Sequence, residues 1–280
     1  MLGDRLTFGY GVNDDETYPT YLEQRLNRVL ASSPTRVEII HAGVIGMGTG
    51  EEALWYERWV RRFNPELVIV NAFHNDFDDD RSRKLFVRGT DGVVARTSGE
   101  STRGTAVRDI RNAIPGYAFL VQHSHLAALL RFFASGQAGA TRSASAAGAA
   151  PGADAARRSL ASEAVEIQTA EIRYLRDRVL ASHARLVVVA VPPRGAIYPA
   201  DADADRLGAE TMEHGLNTVC RAEHIPFFSG TRRIRELSDQ SREPLYFTRD
   251  GHMTRAGNEA MALAVSEFLK NTHLLDTAEQ

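Results

Sequence analysis

Glu66-Leu-Val-Ile-Val-Asn-Ala-Phe73 constrains the fold more than any other stretch of the chain. It follows Asn64-Pro65, which ends the helical pattern before it. Its apolar residues run on without the alternation of a half-exposed strand, so it reads as a strand buried on both faces of a parallel sheet. Leu186-Val-Val-Val-Ala-Val191, stopped by Pro192-Pro193, is a second such strand. Arg36-Val-Glu-Ile-Ile40 and Ile225-Pro-Phe-Phe-Ser229 read as shorter ones.

Helical patterns lie between these strands. Thr17 caps a helix with Pro19 in its first turn, and Tyr18, Leu22, Leu26 and Val29/Leu30 share one face. A second runs from about 51 to 63, with Trp55, Trp59 and Phe63 four apart and expected in the core. Others cover about 159–181, with Val165, Ile172, Leu175 and Val179 as its stripe, and about 204–223. The last ends near 271, with Met261, Ala264, Val265 and Phe268 inward. Strands alternating with helices mean α/β architecture, a parallel sheet covered on both faces, with ligands beyond the carboxyl ends of the strands. The 280 residues are read as a single domain, 1–280, with an insertion at 81–158. Within it, 114–133 is apolar and helical, and 134–156 is a flexible loop of Ala, Gly and Ser.

Composition excludes several function classes. A net charge of −3 gives no general attraction to nucleic acid or an anionic membrane. No run approaches the roughly 20 apolar residues that span a bilayer. The single cysteine, Cys220, forms no intramolecular disulfide and reads as a small apolar residue on a helix. Nothing marks an oxidising compartment, so the default is cytoplasmic. No signal peptide is visible at Met1. Only Met1 and Leu2 precede Gly3-Asp4, whereas a buried strand takes about five or six residues. The strand feeding that turn is therefore expected to be missing or nearly so: either the true start, with any signal, lies upstream, which is the favoured reading, or the protein lacks a central strand.

Four loops fall at strand ends or before the last helix: Gly3 to Gly11, Gly43 to Gly50, His74 to Asp80, and Asp250 to His252. Four glycines between Gly43 and Gly50 mean backbone that turns sharply or lies close to something. Taken in order, the loops resemble the SGNH, or GDSL-type, hydrolases over nearly the whole length, 81–158 excepted. Gly3-Asp4-Arg5, followed by Leu6 to Val12, matches the opening Gly-Asp-Ser block. Gly46 matches the second-block glycine, and Asn75-Asp76 the third-block Asn-Asp, with Phe73 where a glycine is usual. Asp250-Gly251-His252, with Thr254 and Gly257, looks like the closing Asp/His block.

The resemblance implies a three-layer α/β/α sandwich with a short parallel sheet, of the flavodoxin-like SGNH type. It implies an O-acyl ester hydrolase acting on lipid or carbohydrate esters, with no cofactor and no metal. His252 would be the general base, oriented by Asp250. The backbone N–H at position 5, the Gly46 N–H and the Asn75 amide would hold the oxyanion. Asp4 and Asp76 would be structural.

The departure is Arg5, at the nucleophile position. A guanidinium stays protonated and has no acceptor, so it cannot attack an acyl group. The chain is expected to be strongly impaired as a hydrolase. Thr7 points elsewhere, and Ser101, Ser124 and Ser135 lie outside any motif. Arg5 has a second reading, in which it pairs with Asp250 or Asp76, or turns the oxyanion pocket into a site for an anionic or acylated ligand.

Other features read as surface. Asp76, Asp78, Asp79 and Asp80 form a solvated acidic loop, since calcium-loop spacing is absent. His123 and His125 do not share a helix face. Arg157, Arg158, Arg232, Arg233 and Arg235 are solvated helix and loop ends.

Overall fold

The computed structural model describes residues 1–89, 93–97, 153–198 and 203–275. Two compact units form, one of Met1–Arg96 with Ala164–Gln280 and one of Thr97–Glu163. Of the second, only Thr97 and the opening of one helix are among the described residues. The sheet, the core and the candidate site all belong to the first. The helical segment expected at 114–133, His123, His125, Ser101, Ser124, Ser135 and residues 134–152 lie outside the described residues. The last four residues of the expected 134–156 loop are helical instead, because the helix predicted from Ser159 starts at Ala153.

Five parallel strands build the sheet: β1 (Leu2–Gly3), β2 (Ala42–Gly43), β3 (Leu67–Ala72), β6 (Arg185–Ala190) and β7 (Phe227–Ser229), in the order β2-β1-β3-β6-β7. The order reverses between β1 and β3, as in flavodoxin-like sheets, and the crevice outside that switch point is where ligands bind. β4 (Phe86–Arg88) and β5 (Val94–Arg96) pair antiparallel in a separate hairpin. The helices are α1 (Arg5–Phe8), α2 (Tyr18–Val29), α3 (Thr49–Arg58), α4 (Asp76–Arg83), α5 (Ala153–Ala181), α6 (Arg194–Ile197), α7 (Asp203–Ala222), α8 (Gly230–Gln240) and α9 (Arg255–Asn271).

Successive side chains of a strand point to opposite faces, and this divides the core in two. Ile69, Val187 and Val189 pack with Tyr18, Leu22 and Leu26 of α2 and Met261, Val265 and Leu269 of α9. Val68, Val70, Leu186 and Val188 pack with Ala53 and Tyr56 of α3, Ile172 and Leu175 of α5, and Leu216 of α7. This is the three-layer α/β/α sandwich expected from the alternating pattern. Cys220 is buried within the second cluster.

Two expectations are corrected. Residues 36–40 form no strand. The strand beside them, β1, is two residues long, and the chain there reaches the segment only where the Met1 amino group donates to the Ile40 carbonyl at 2.7 Å. The segment's N–H groups instead donate to side chains of α2: Val37 to Asn27 Oδ1 at 2.9 Å and Ile39 to Glu23 Oε2 at 2.7 Å. The helix predicted to run to Phe63 ends at Arg58, and a 3₁₀ turn (Val60–Phe63) follows. That change of pitch breaks the four-residue register. Val60 takes the buried place, while Trp59 and Phe63 are 45% and 63% exposed. Arg62 lies over the Trp59 ring at 4.7 Å.

Candidate active site

The corner from β1 into α1 is built by three residues. Gly3 has φ +154°, and a Cβ there would stand 1.9 Å from Thr7 Oγ1 and 3.1 Å from Asn71 Cβ, so the tight turn excludes a side chain. Asp4 caps α1, its Oδ1 accepting the Leu6 N–H at 3.0 Å. Arg5 is the first residue of α1, and its carbonyl accepts the N–H groups of Gly9 and Tyr10, each at 3.1 Å. Its side chain, 39% exposed, holds Nε 3.8 Å from Asp4 Oδ2 and its guanidinium 5.6 Å from the Phe73 ring centre.

His252 comes to the same place from the segment before α9. The Phe247 N–H donates to the His252 carbonyl at 2.8 Å, and Thr254, the cap of α9, donates its N–H to Leu245 at 3.0 Å. Asp250 Oδ1 accepts the His252 N–H at 3.1 Å and lies 3.4 Å from Nδ1. The Tyr10 ring stands against the imidazole, 4.6 Å between centres. Burial holds His252 below the usual histidine range, and Arg5 pushes the same way, against Asp250 and Asp4. Both influences favour the neutral imidazole, the form a general base needs.

Arg5, Asp250 and His252 line one cavity of about 190 Å³ together with Leu6, Phe73, His74, Pro193, Arg194 and Gly251. Gly46 and Asn75 are not among its lining residues. Gly46 has φ +77° and its carbonyl accepts from Arg83. The Asn75 amide donates to Asp79 Oδ2 at 2.8 Å, across the first turn of α4. The sequence reading missed Arg194. It follows Pro192-Pro193 at the carboxyl end of β6, a position the strand-end rule would have flagged.

Beneath the corner lies a group of buried carboxyls that the sequence reading also missed. Asp76 and Asp80, expected in a solvated loop, are each 1% exposed, as are Glu52 and Glu171. Four residues apart, Asp76 and Asp80 share the face of α4 that looks toward α3 and α5. Asp76 Oδ2 accepts the Phe73 N–H at 2.8 Å. Asp80 accepts the Gly50 N–H at 3.2 Å and is hydrogen-bonded to Glu171. A Cβ at Gly48 would sit 2.5 Å from Asp80 Oδ1, so this glycine is what lets the carboxyl close on α3. Burial, reinforced by neighbouring carboxylates, raises Glu52, Asp76 and Glu171 well above the carboxylate range, and burial raises Asp80 to about 7. Asp4 is raised too, chiefly by burial, with Arg5 and His252 opposing. Among the described residues, no group of three or more His, Cys, Asp or Glu is arranged to hold a metal ion.

The basic residues divide. Arg232 is solvated, its side chain 92% exposed. Arg233 instead bonds Glu267 at 2.9 Å, and Arg235 donates to the Ala196 carbonyl, tying α8 to α9 and α6. No helix among the described residues is long and apolar enough to cross a membrane.

Compared with known proteins, residues 1–260 match the model of the GDSL-like lipase/acylhydrolase family. No curated protein matches the sequence. Among solved structures, LAE5, an alpha/beta hydrolase enzyme from the metagenome of Lake Arreo, Spain, is 13% identical with a TM-score of 0.55, over 99% of this chain and 94% of that one. A catalytic mutant of Axe2, an acetylxylan esterase from Geobacillus stearothermophilus, is 11% identical with a TM-score of 0.53, over 96% and 91%. The acetyl xylan esterase AlAXEase is 13% identical with a TM-score of 0.52, over 96% of each chain. At these identities the likeness shows the fold.

Proposed function

The chain belongs to the GDSL-like lipase/acylhydrolase family, and from that premise we propose that it carries the site of an O-acyl ester hydrolase, disarmed at its nucleophile by Arg5. The observation that carries this reading is the shared cavity: Arg5 heads the strand-to-helix corner and faces His252, whose Nδ1 is 3.4 Å from Asp250. With a serine at position 5, a neutral His252 would take the hydroxyl proton as the oxygen attacks the acyl carbon, and Asp250 would hold the imidazole and steady its charge. The oxyanion would meet the position-5 N–H, the Gly46 N–H and the Asn75 amide, once that amide leaves Asp79. Arg5 supplies no lone pair for the attack. In a serine hydrolase, loss of the nucleophile costs about a millionfold in kcat.

The test is Arg5→Ser. Fluorophosphonate labelling and p-nitrophenyl acetate turnover should appear in the variant and be lost on further His252→Ala. Turnover by the unmodified chain that His252→Ala abolishes would overturn the claim that Arg5 disarms it. Two of the structurally similar proteins are acetylxylan esterases, so short acyl esters of carbohydrates are the first substrates to try.

A second reading is a binding protein for an anionic or acylated ligand. It is favoured by Arg5 and Arg194 lining the same cavity, since two guanidiniums suit a carboxylate. Calorimetry with acetate and acetylated sugars tests it, and equal binding by Arg5→Ala would refute it.

A further inference from the structure

We propose that Tyr10 and Phe247, both in contact with His252, form a platform beside the Arg5–His252 cavity for the sugar ring of an acylated carbohydrate. The inference rests on the ester-hydrolase reading and names its substrate class. Both rings remain in solvent, Tyr10 being 46% and Phe247 36% exposed. Tyr10 stands against the His252 imidazole at 4.6 Å. Phe247 is tied by its N–H to the His252 carbonyl at 2.8 Å. Its ring covers Gly11, where a Cβ would be 3.2 Å from the ring edge. Tyr10 therefore lies against the histidine ring itself, and Phe247 is joined to the same residue through the backbone while its ring lies over Gly11; surfaces held in place before a ligand arrives spare the ordering cost of binding.

The surroundings of these rings decide what they suit. The cavity of about 190 Å³ is small and lined by Arg5, Arg194 and Asp250. Charged walls of that kind accept a short acyl group and disfavour a long hydrocarbon chain, which would strip water from them without replacing its hydrogen bonds. Beside the rings, the Asp250 side chain is 50% exposed and Arg249 is exposed. A pyranose matches that mixture. Its C–H face covers an aromatic ring, and its hydroxyls reach carboxylate and guanidinium groups at the edge. A sugar seated there holds an acylated hydroxyl over the cavity, acyl group inward.

The test uses the full chain in two arms. In the Arg5→Ser background, the ratio of kcat/KM on acetylated xylohexaose to that on vinyl acetate should fall at least tenfold on Phe247→Ala, mainly through KM. Phe247→Tyr should restore it, which separates stacking from a general defect. In the unmodified chain, calorimetric affinity for acetylated xylohexaose should fall at least tenfold on Tyr10→Ala or Phe247→Ala. An unchanged ratio, unchanged affinity, or faster turnover of vinyl laurate than vinyl acetate would overturn the platform. If Arg5→Ser stays inactive while the sugar binds and Phe247→Ala weakens it, the hydrolase reading fails and the platform stands.

Discussion

Asp80→Asn should make the protein more resistant to alkali. Ionising Asp80 would place a negative charge among the buried carboxyls of Glu52, Asp76 and Glu171. Arg83, the nearby cation, is engaged with Glu51 at 2.8 Å and with the Gly46 carbonyl. The folded chain therefore keeps the Asp80 proton to about pH 7, against an ordinary value of 3.8. A group raised in the folded state contributes stability that is full below its unfolded pKa and lost as pH rises through its folded pKa. Each pH unit between the unfolded and folded values is worth about 1.4 kcal/mol, so Asp80 accounts for a loss of about 4 kcal/mol between pH 4 and pH 7. Asparagine removes the titration, and its side-chain oxygen still accepts the Gly50 N–H. Urea unfolding of both proteins from pH 4 to 8 measures the difference directly. The parent should lose stability across that window, and Asp80→Asn should lose about 4 kcal/mol less. Identical pH slopes would refute the argument that Asp80 is held protonated.

Gly3→Ala should destabilise the protein by about 3 kcal/mol in urea unfolding, because its Cβ would lie 1.9 Å from Thr7 Oγ1. In NMR titrations, Arg5→Ser should raise the His252 pKa toward the ordinary value, because Arg5 is one of the influences lowering it; a fall would contradict the site's electrostatics. In Arg5→Ser, Asn75→Ala should cut kcat on p-nitrophenyl acetate by about 10²–10³-fold. A loss under about threefold would remove Asn75 from the oxyanion hole. Arg5→Ser should itself cost no more than about 1 kcal/mol in urea unfolding, since its contact with Asp4 is 3.8 Å long and the Arg5 side chain is 39% exposed.

What the sequence discloses depends on whether a pattern has one physical cause or two. The runs at 66–73 and 186–191 are apolar because both faces of their strands are buried, and β3 and β6 lie within a residue of where they were expected. Residues 36–40 alternate like a strand, yet strand formation also needs a neighbour's ladder, and beside a two-residue β1 the segment meets its neighbour only at Ile40, whose carbonyl accepts the Met1 amino group. Trp59 and Phe63 keep helical spacing, but spacing cannot announce that the helix tightens after Arg58. Asp76 to Asp80 misleads most, because a polar run suggests exposure whether or not it is buried. The burial of Asp76 and Asp80 is settled by Gly48, Gly50 and Glu171, which approach from α3 and α5 and which no local pattern connects to them.

Asp4 joins the two halves of the site. Its Oδ1 caps α1 and so fixes the corner on which Arg5 stands. Its charge also bears on His252 above and on Glu52 and Asp76 below. The corner is therefore set over carboxyls that stay neutral only while they keep their protons, and Arg5 is a positive charge opposing the rise of Asp4. On the hydrolase reading, substitution at position 5 would change more than a nucleophile. Serine would supply an attacking oxygen and let His252 rise toward its ordinary pKa. It also withdraws a cation that favours an ionised Asp4. On the hydrolase reading, residue 5 is thus where the requirement for a reactive hydroxyl would meet the electrostatics of a buried acidic core, and a cation there would ease the second by giving up the first.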